Sequence, residues 1–587
     1  MRKIKVLAGL MAALLMASGV YAQQPAKPAQ PAGNPGAVST TMGAMPAMEK
    51  PAVPTTLNDA SVVVVVGDIS GTIDRVGNNV SGKFSPMFNG AFLKTMLGGQ
   101  LQDPVLAGLN NGKSGLVGIF KSGPLFFVEV DPAQSANYKT AIAQAGTPVE
   151  VAEGMLVTGG PVPGMTEAAT KLAGEAKAAL AKEKHTPSIK ATVNMPKVLA
   201  TYNAEIKQGL AMMAAQSTPA TGQQQVMMQI NMGVALAAAK DVETASLELI
   251  PDEKGNLLGE VVVKAKAGSN LATFLAAKGG DTAGLLEMLP GKGAVRATVS
   301  INGDAYLKLV QQYADVAFKE LGTAKADQDA YLAMMSSKQN LTGDAAAMEF
   351  LIPGQKGLTG FTVTHVADPT NAIATIEKSM EQVKENMKQA QFEVTFKKDA
   401  RKYKDIGIHQ LMLKQSGANM PAPLADVFGS IQADFAVVGN LVVSAMGGQS
   451  IDTLIDNVQA KKSATPTALV APTKLGAGAK SYADINMGNL VKFGFDLAGP
   501  EVANSPIAGM PAALESVPPI TAAMFNDATT ATGKFLIPGD LFAKLGAELQ
   551  KAKQGGGPGA PNGGAMRPAG APMAAPAPAA PAPAVKK

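Results

Sequence analysis

The chain has 587 residues, 46% of them hydrophobic, no Cys and no Trp, and its 51 basic and 46 acidic residues give a formal charge of +5. Without a thiol it forms neither a disulfide nor a thiolate metal site. A charge so close to balance gives no argument for nucleic acid, which requires a concentrated basic face.

Arg2, Lys3 and Lys5 precede an apolar run from Val6 to Ala17, followed by Val20-Tyr21-Ala22. The run is short for a bilayer span, and small residues stand at −3 and −1. This predicts a signal peptide cut after Ala22, and hence a periplasmic or secreted protein. The mature charge is then only +2. No later segment is long and apolar enough to be a transmembrane span. Residues 23–56 are rich in Pro, Ala, Gln and Gly, and residues 553–587 are almost wholly Gly, Pro and Ala. Neither can bury enough surface to offset chain entropy, so both are expected as disordered, extended spacers. Within the first, Met42, Met45 and Met48 place a thioether at every third residue. Thioethers are soft ligands that suit Cu(I); Met also drifts freely in an Ala-Pro linker. Both readings stand.

A folded region from 57 to 552 exceeds one ordinary core, so several modules are expected. Four short apolar strands each stop at a residue able to cap a helix: Val62–Val66 before Asp68, Ala191–Val193 before Asn194, Ala297–Val299 before Ser300, and Ala483–Ile485 before Asn486. Helical spacing follows, as in Val198, Leu199, Tyr202, Ile206 and Leu210. Hairpins come next. Leu116–Phe120 and Leu125–Val130 flank Lys121-Ser122-Gly123-Pro124, and Leu247, Leu249 and Val261–Val263 flank Pro251-Asp252-Glu253-Lys254-Gly255. Phe350, Ile352, Phe361 and Val363 flank a matching turn. Leu249-Ile250-Pro251 returns as Leu351-Ile352-Pro353 and as Leu536-Ile537-Pro538. Helices are predicted over 132–145, 165–184, 270–277, 369–389 and 450–461. Further hairpins are predicted at 148–157, 392–408 and 435–443.

Such self-similarity is the mark of a repeated unit. The expected fold class is α+β: repeated β-α-β-β-α modules forming antiparallel or mixed sheets, with helices on one face. The modules are 57–187, 188–280, 281–470 (with extra hairpins) and a truncated 471–552. The strand–helix starts, the Leu-Ile-Pro hairpins and Val437-Val438-Gly439-Asn440-Leu441-Val442-Val443 resemble bacterial exported, cell-envelope proteins of unknown function. That resemblance implies a style of fold and an envelope location, and no site residues.

Chemistry is sparse. His185, His365 and His409 are far apart, with no neighbour at metal-ligand spacing. Gly-x-Ser-x-Gly and Ser-x-x-Lys are absent. Gly108 to Ser114 mimics a phosphate loop but is one residue short and leads into a strand, so it reads as an Asn-Gly turn. Lys397, Lys398, Arg401, Lys402 and Lys404 form the densest basic cluster, either a solvated hairpin or a contact for an anionic polymer. Nothing asks for a cofactor. The expected function is a non-enzymatic exported scaffold or binding protein of a bacterial cell envelope, its partner an envelope polymer or an apolar ligand. The alternatives are a periplasmic carrier of a lipid-like ligand and a hydrolase whose site is assembled only by folding.

Overall fold

Apolar strands that stop at Asp or Asn organise the molecule. The computed structural model describes residues 53–555, apart from 85–87, 160–163, 184–185, 217–221, 283, 340–343, 355–356, 367, 390–391, 416–429, 461–474, 477, 500–501 and 503–504. The signal segment, Met42, Met45, Met48, His185 and the C-terminal tail lie outside the described residues.

In chain order the first stretch holds β1 (Val62–Gly67), α1 (Ile69–Val76), α2 (Gly90–Gln100), β2 (Gly115–Phe120), β3 (Gly123–Glu129), α3 (Pro132–Gln144), β4 (Glu150–Ala152), β5 (Met155–Thr158) and α4 (Met165–Leu180). Next come β6 (Ser188–Asn194), α5 (Met195–Gln216, kinked at Tyr202), α6 (Gly222–Asp241), β7 (Val242–Pro251), β8 (Leu257–Ala265) and α7 (Asn270–Ala276). The third stretch has β9 (Val295–Ser300), α8 (Gly303–Leu321), α9 (Lys325–Gln339), β10 (Ala345–Phe350), β11 (Gly360–His365), α10 (Ala372–Gln389), β12 (Phe392–Tyr403), β13 (Ile406–Gln415), β14 (Ser430–Val438), β15 (Leu441–Met446) and α11 (Ile451–Ala460). The last has β16 (Ser481–Ile485), α12 (Met487–Ala498), α13 (Met510–Glu515), β17 (Ile520–Asn526), β18 (Thr530–Ile537) and α14 (Gly539–Gly555). The last stretch was expected to be truncated, but it carries its own hairpin, β17–β18.

Three of the four caps fall where the sequence placed them. Asp68 accepts the Gly71 N–H at 3.0 Å, Asn194 that of Lys197 at 3.2 Å, and Asn486 that of Asn489 at 2.8 Å. In the remaining case the strand takes in Ser300 itself, and Asn302, two residues on, caps the helix by accepting from Ala305 N–H at 2.9 Å. In each case the side-chain oxygen accepts from the N–H three residues ahead, as helix N-termini require.

Among the described residues, eighteen strands join one antiparallel sheet. The pairings run β4, β5, β3, β2, β1, β6, β7, β8, β18, β17, β16, β9, β10, β11, β15, β14, β13, β12. The hairpins pair strands adjacent in sequence, and three pairings join the four stretches to one another. The capped strands meet each other twice, β1 with β6 (Val64↔Ala191) and β9 with β16 (Ala297↔Ala483). The hairpin strands β8 and β18 meet at Val261↔Gly533.

Helices lie on both faces, not on one. Val64 and Val66 bury with Ile69 and Ile73 of α1 and Tyr138 and Ile142 of α3. Val65 between them buries on the opposite side, with Leu172, Ala173 and Ala176 of α4. Successive strand residues point to opposite faces. A run of five valines therefore needs two apolar layers, a signal present in the sequence but not used there. Around β15 the same division recurs: Val443 and Ala445 pack with α11, and Val442 with Ile376 and Met380 of α10.

The Leu-Ile-Pro segments are not superimposable. Leu249 pairs with Gly259, and Phe350 pairs with Gly360. The matching strand position is thus Leu249 in one and Phe350 in the other, so the motif slides by one residue. The extra residue, Leu351, takes φ +59. The third copy lies at the end of β18 beside the first: Gly539 N–H donates to Asn256 Oδ1 at 3.0 Å.

Tyr138 is 1% exposed and donates its hydroxyl to Asp103 Oδ2 at 2.6 Å, which also accepts the Gly108 N–H at 3.0 Å. Burial works to raise the Asp103 pKa, but the Tyr138 hydroxyl and the N–H groups of Gly108, Ala107 and Val105 together lower it. Tyr138→Phe should cost about 1–3 kcal/mol, because the carboxylate loses its partner while staying buried. Urea unfolding with an unchanged midpoint would contradict this. Asn111 and Gly112 (φ +62 and +73) then turn the chain into β2, as the Asn-Gly reading expected.

Candidate functional site: a sealed ionic cluster and an open apolar strip

The sheet brings three charges together that the sequence keeps far apart. On adjacent strands Glu349 faces Arg296, and Arg296 faces Asp484. All three are buried, Glu349 completely. Leu285, Leu286 and Leu289 belong to the apolar layer on this face, with Tyr482 and Ile451, Leu454 and Ile455 of α11.

Each charge has a structural task. The Glu349 carboxylate accepts the successive N–H groups of Gly291, Lys292 and Gly293, a concave cradle that suits an anion. Arg296 Nη2 donates to the Leu286 carbonyl at 3.5 Å. Arg296 Nε, the Tyr482 hydroxyl and Thr521 Oγ1, which is on the residue paired with Asp484, have no partner among the described residues. Burial raises the Asp484 pKa, Arg296 opposes that, and Glu349 adds to it. Tyr482 is pushed up to about 12, first by burial and then by Asp484, against Arg296. Perturbed groups of this kind often mark catalytic sites. Here they are buried between a layer of leucines and their own strands.

The opposite face of the same strands is open. One row runs Gly259, Phe535, Ala522, Ala483, Ala297, Met348 and Thr362 across seven strands. Two residues along, and therefore on the same face, stand Val261, Gly533 and Met524, with Val299 and Ala346 beyond. Val261 and Val299 are 38% exposed and Met524 50%. A Cβ on Gly259 would lie 2.0 Å from the Phe535 ring, so the glycine lets that ring lie flat. Contiguous exposed apolar surface is uncommon on monomers and marks a contact site. Where the strip reaches Asn526 and Ile301 it meets a groove of about 570 Å³, lined by Phe274, Lys278, Asp281, Lys480, Asn526 and Asp527, among others.

The other sequence candidates are scattered. His365 Nε2 lies within hydrogen-bond distance, 2.7 Å, of Asn440 Nδ2 at an exposed position. His409 is buried in β13 against Phe396 and Phe435. The basic cluster is largely paired: Lys398 with Glu377 (3.6 Å), Arg401 with Asp452 (2.7 Å) and Lys404 with Asp456 (2.9 Å). Among the described residues no group of three or more His, Asp or Glu is placed to hold a metal ion. No described helix is long and apolar enough to cross a membrane. The ionic cluster has no sequence motif; its local signal is the charge of Arg296, Glu349 and Asp484 at strand positions where apolar residues belong.

No family model, curated protein or solved structure matches this chain.

Proposed function

We propose that this is an exported, non-enzymatic scaffold or binding protein of a bacterial cell envelope. The observation that carries the reading is the uncovered strip of Val261, Met524 and Val299, set in a sheet whose other face is sealed. The export step rests on the N-terminal segment, with Arg2, Lys3 and Lys5 ahead of the apolar run. The architecture reads as one strand–helix–hairpin unit used four times, with capped strands joined in two pairs. Supporting this are the Asx caps at Asp68, Asn194, Asn302 and Asn486, each opening a helix after an apolar strand.

A second reading, a carrier of a lipid-like ligand, is favoured by the same strip and by the groove it enters, since such sites are mostly apolar with few polar groups. An apolar fluorescent probe, N-phenyl-1-naphthylamine, should bind the intact protein. Met524→Lys combined with Val299→Lys should weaken that binding by about tenfold or more, a loss near 1.4 kcal/mol. Probe affinity unchanged by the double substitution would remove the strip from the function. Lipid seen by native mass spectrometry would select the carrier, and its absence the scaffold.

A further inference from the structure

The sheet ends at β12, and that strand is interrupted. Its pairing with β13 stops at Lys397↔Gln410 and resumes at Arg401↔Ile408. Lys398, Asp399 and Ala400 therefore bulge opposite the single residue His409. Asp399 takes φ +48, a left-handed conformation that costs energy for a side chain with a Cβ.

What holds it is a hydrogen bond: the Asp399 N–H donates to His409 Nδ1 at 3.1 Å. Nδ1 is thus an acceptor, so the neutral ring carries its proton on Nε2. The ring has little freedom, being 5% exposed, stacked with Phe396 at 6.4 Å and tilted against Phe435 at 5.5 Å. The Asp399 carboxylate waits nearby, its Oδ1 4.0 Å from Nδ1. Gly407 leaves the room for it, since a Cβ there would lie 2.3 Å from that oxygen.

We propose that His409 is a proton-operated catch on this bulge, closed when the ring is neutral and open when it is protonated. A proton taken from solvent at Nδ1 turns the acceptor into a donor. The Asp399 N–H then loses its partner, and Nδ1–H donates to the Asp399 carboxylate instead. The left-handed Asp399 is left without the bond that fixed it. A bulge on an outermost strand guards the edge against pairing with further strands, so acid loosens that guard.

The groups facing the ring are Asp399 and Lys398 from β12 and Glu377 from α10. Burial lowers the His409 pKa most; Lys398 acts with it, and Asp399 and Glu377 act against it. A depressed histidine contributes stability that is complete above about pH 6.5, its unfolded value, and is lost as pH falls through the lower folded value.

Hydrogen exchange of the full chain, corrected for intrinsic rates, tests the catch. Between about pH 8 and pH 5 the segment 398–400 should lose about tenfold or more of its protection, while β14 and β15 keep theirs. His409→Asn offers an amide oxygen near the place of Nδ1 but cannot titrate, so its segment should stay protected at both pH values. His409→Leu should be unprotected at both. Should these variants not fold, nitrogen NMR of the wild-type ring decides: the neutral form must carry its proton on Nε2. Constant protection in the wild type, a transition that persists in His409→Asn, or a neutral ring protonated on Nδ1 would each overturn the proposal.

Discussion

Arg296→Met is expected to destabilise the protein by about 3–5 kcal/mol. Removing one partner from a buried ionic group leaves the others as uncompensated charges. Glu349 keeps the N–H groups of Gly291, Lys292 and Gly293, but Asp484 keeps nothing of comparable strength, because Arg296 is the group that lowers its pKa. The methionine fills the space of the aliphatic stem, so loss of packing is a minor part of the effect.

The pH dependence carries a sign that separates this account from simple loss of packing. Burial raises Asp484 above the ordinary carboxylate value even with Arg296 present. A raised folded pKa means that the fold favours the protonated acid. The resulting cost is absent below about pH 4, grows as pH rises toward the folded pKa, and is constant above it. Asp484→Asn should therefore flatten that part of the stability profile, and the Arg296→Met loss should shrink at low pH. Guanidinium unfolding midpoints for the three proteins at several pH values would measure this. An Arg296→Met variant as stable as wild type at neutral pH would mean that the cluster is hydrated, not sealed.

The second large effect is at Ile352. Ile352→Asp should cost about 3–5 kcal/mol, and Ile250→Asp only about 1–2 kcal/mol. Both sit at the same place in Leu-Ile-Pro, and the sequence alone predicts equal losses. The structure separates them. Ile352 is 5% exposed within the large apolar cluster, its N–H held by Thr359 Oγ1 at 3.0 Å. Ile250 is half-buried in β7, opposite Leu258 of β8. A slip of one residue exchanges the two faces of a strand, and Leu351 with its positive φ is where the slip is taken up. Thermal melts of the two variants, compared side by side, check the difference. Equal shifts would return the two segments to equivalence.

The positions of the elements were largely legible in the chain. Asp68, Asn194 and Asn486 announce helices because a cap works across three residues. Gly439-Asn440 and Glu153-Gly154 announce hairpins because turn chemistry is equally local. Ser300 misled because both Ser and Asn can cap, and only the length of β9 chooses between Ser300 and Asn302. The candidate site was much less legible. Arg296, Glu349 and Asp484 are separated by long stretches of chain, and no local rule places them in register.

What this sequence determined by itself was therefore the succession of strands, helices and hairpins, together with the scarcity of reactive motifs. Cap, turn and alternation signals are properties of neighbouring residues. The tertiary structure alone decided that β1 meets β6, that β9 meets β16 and that β8 meets β18. It also decided which face is sealed and which stays open. Those choices depend on how apolar surfaces from distant segments fit together, as where Gly539 bonds to Asn256 across 283 positions of chain. Burial energy is a sum over the whole assembled sheet and has no local signature.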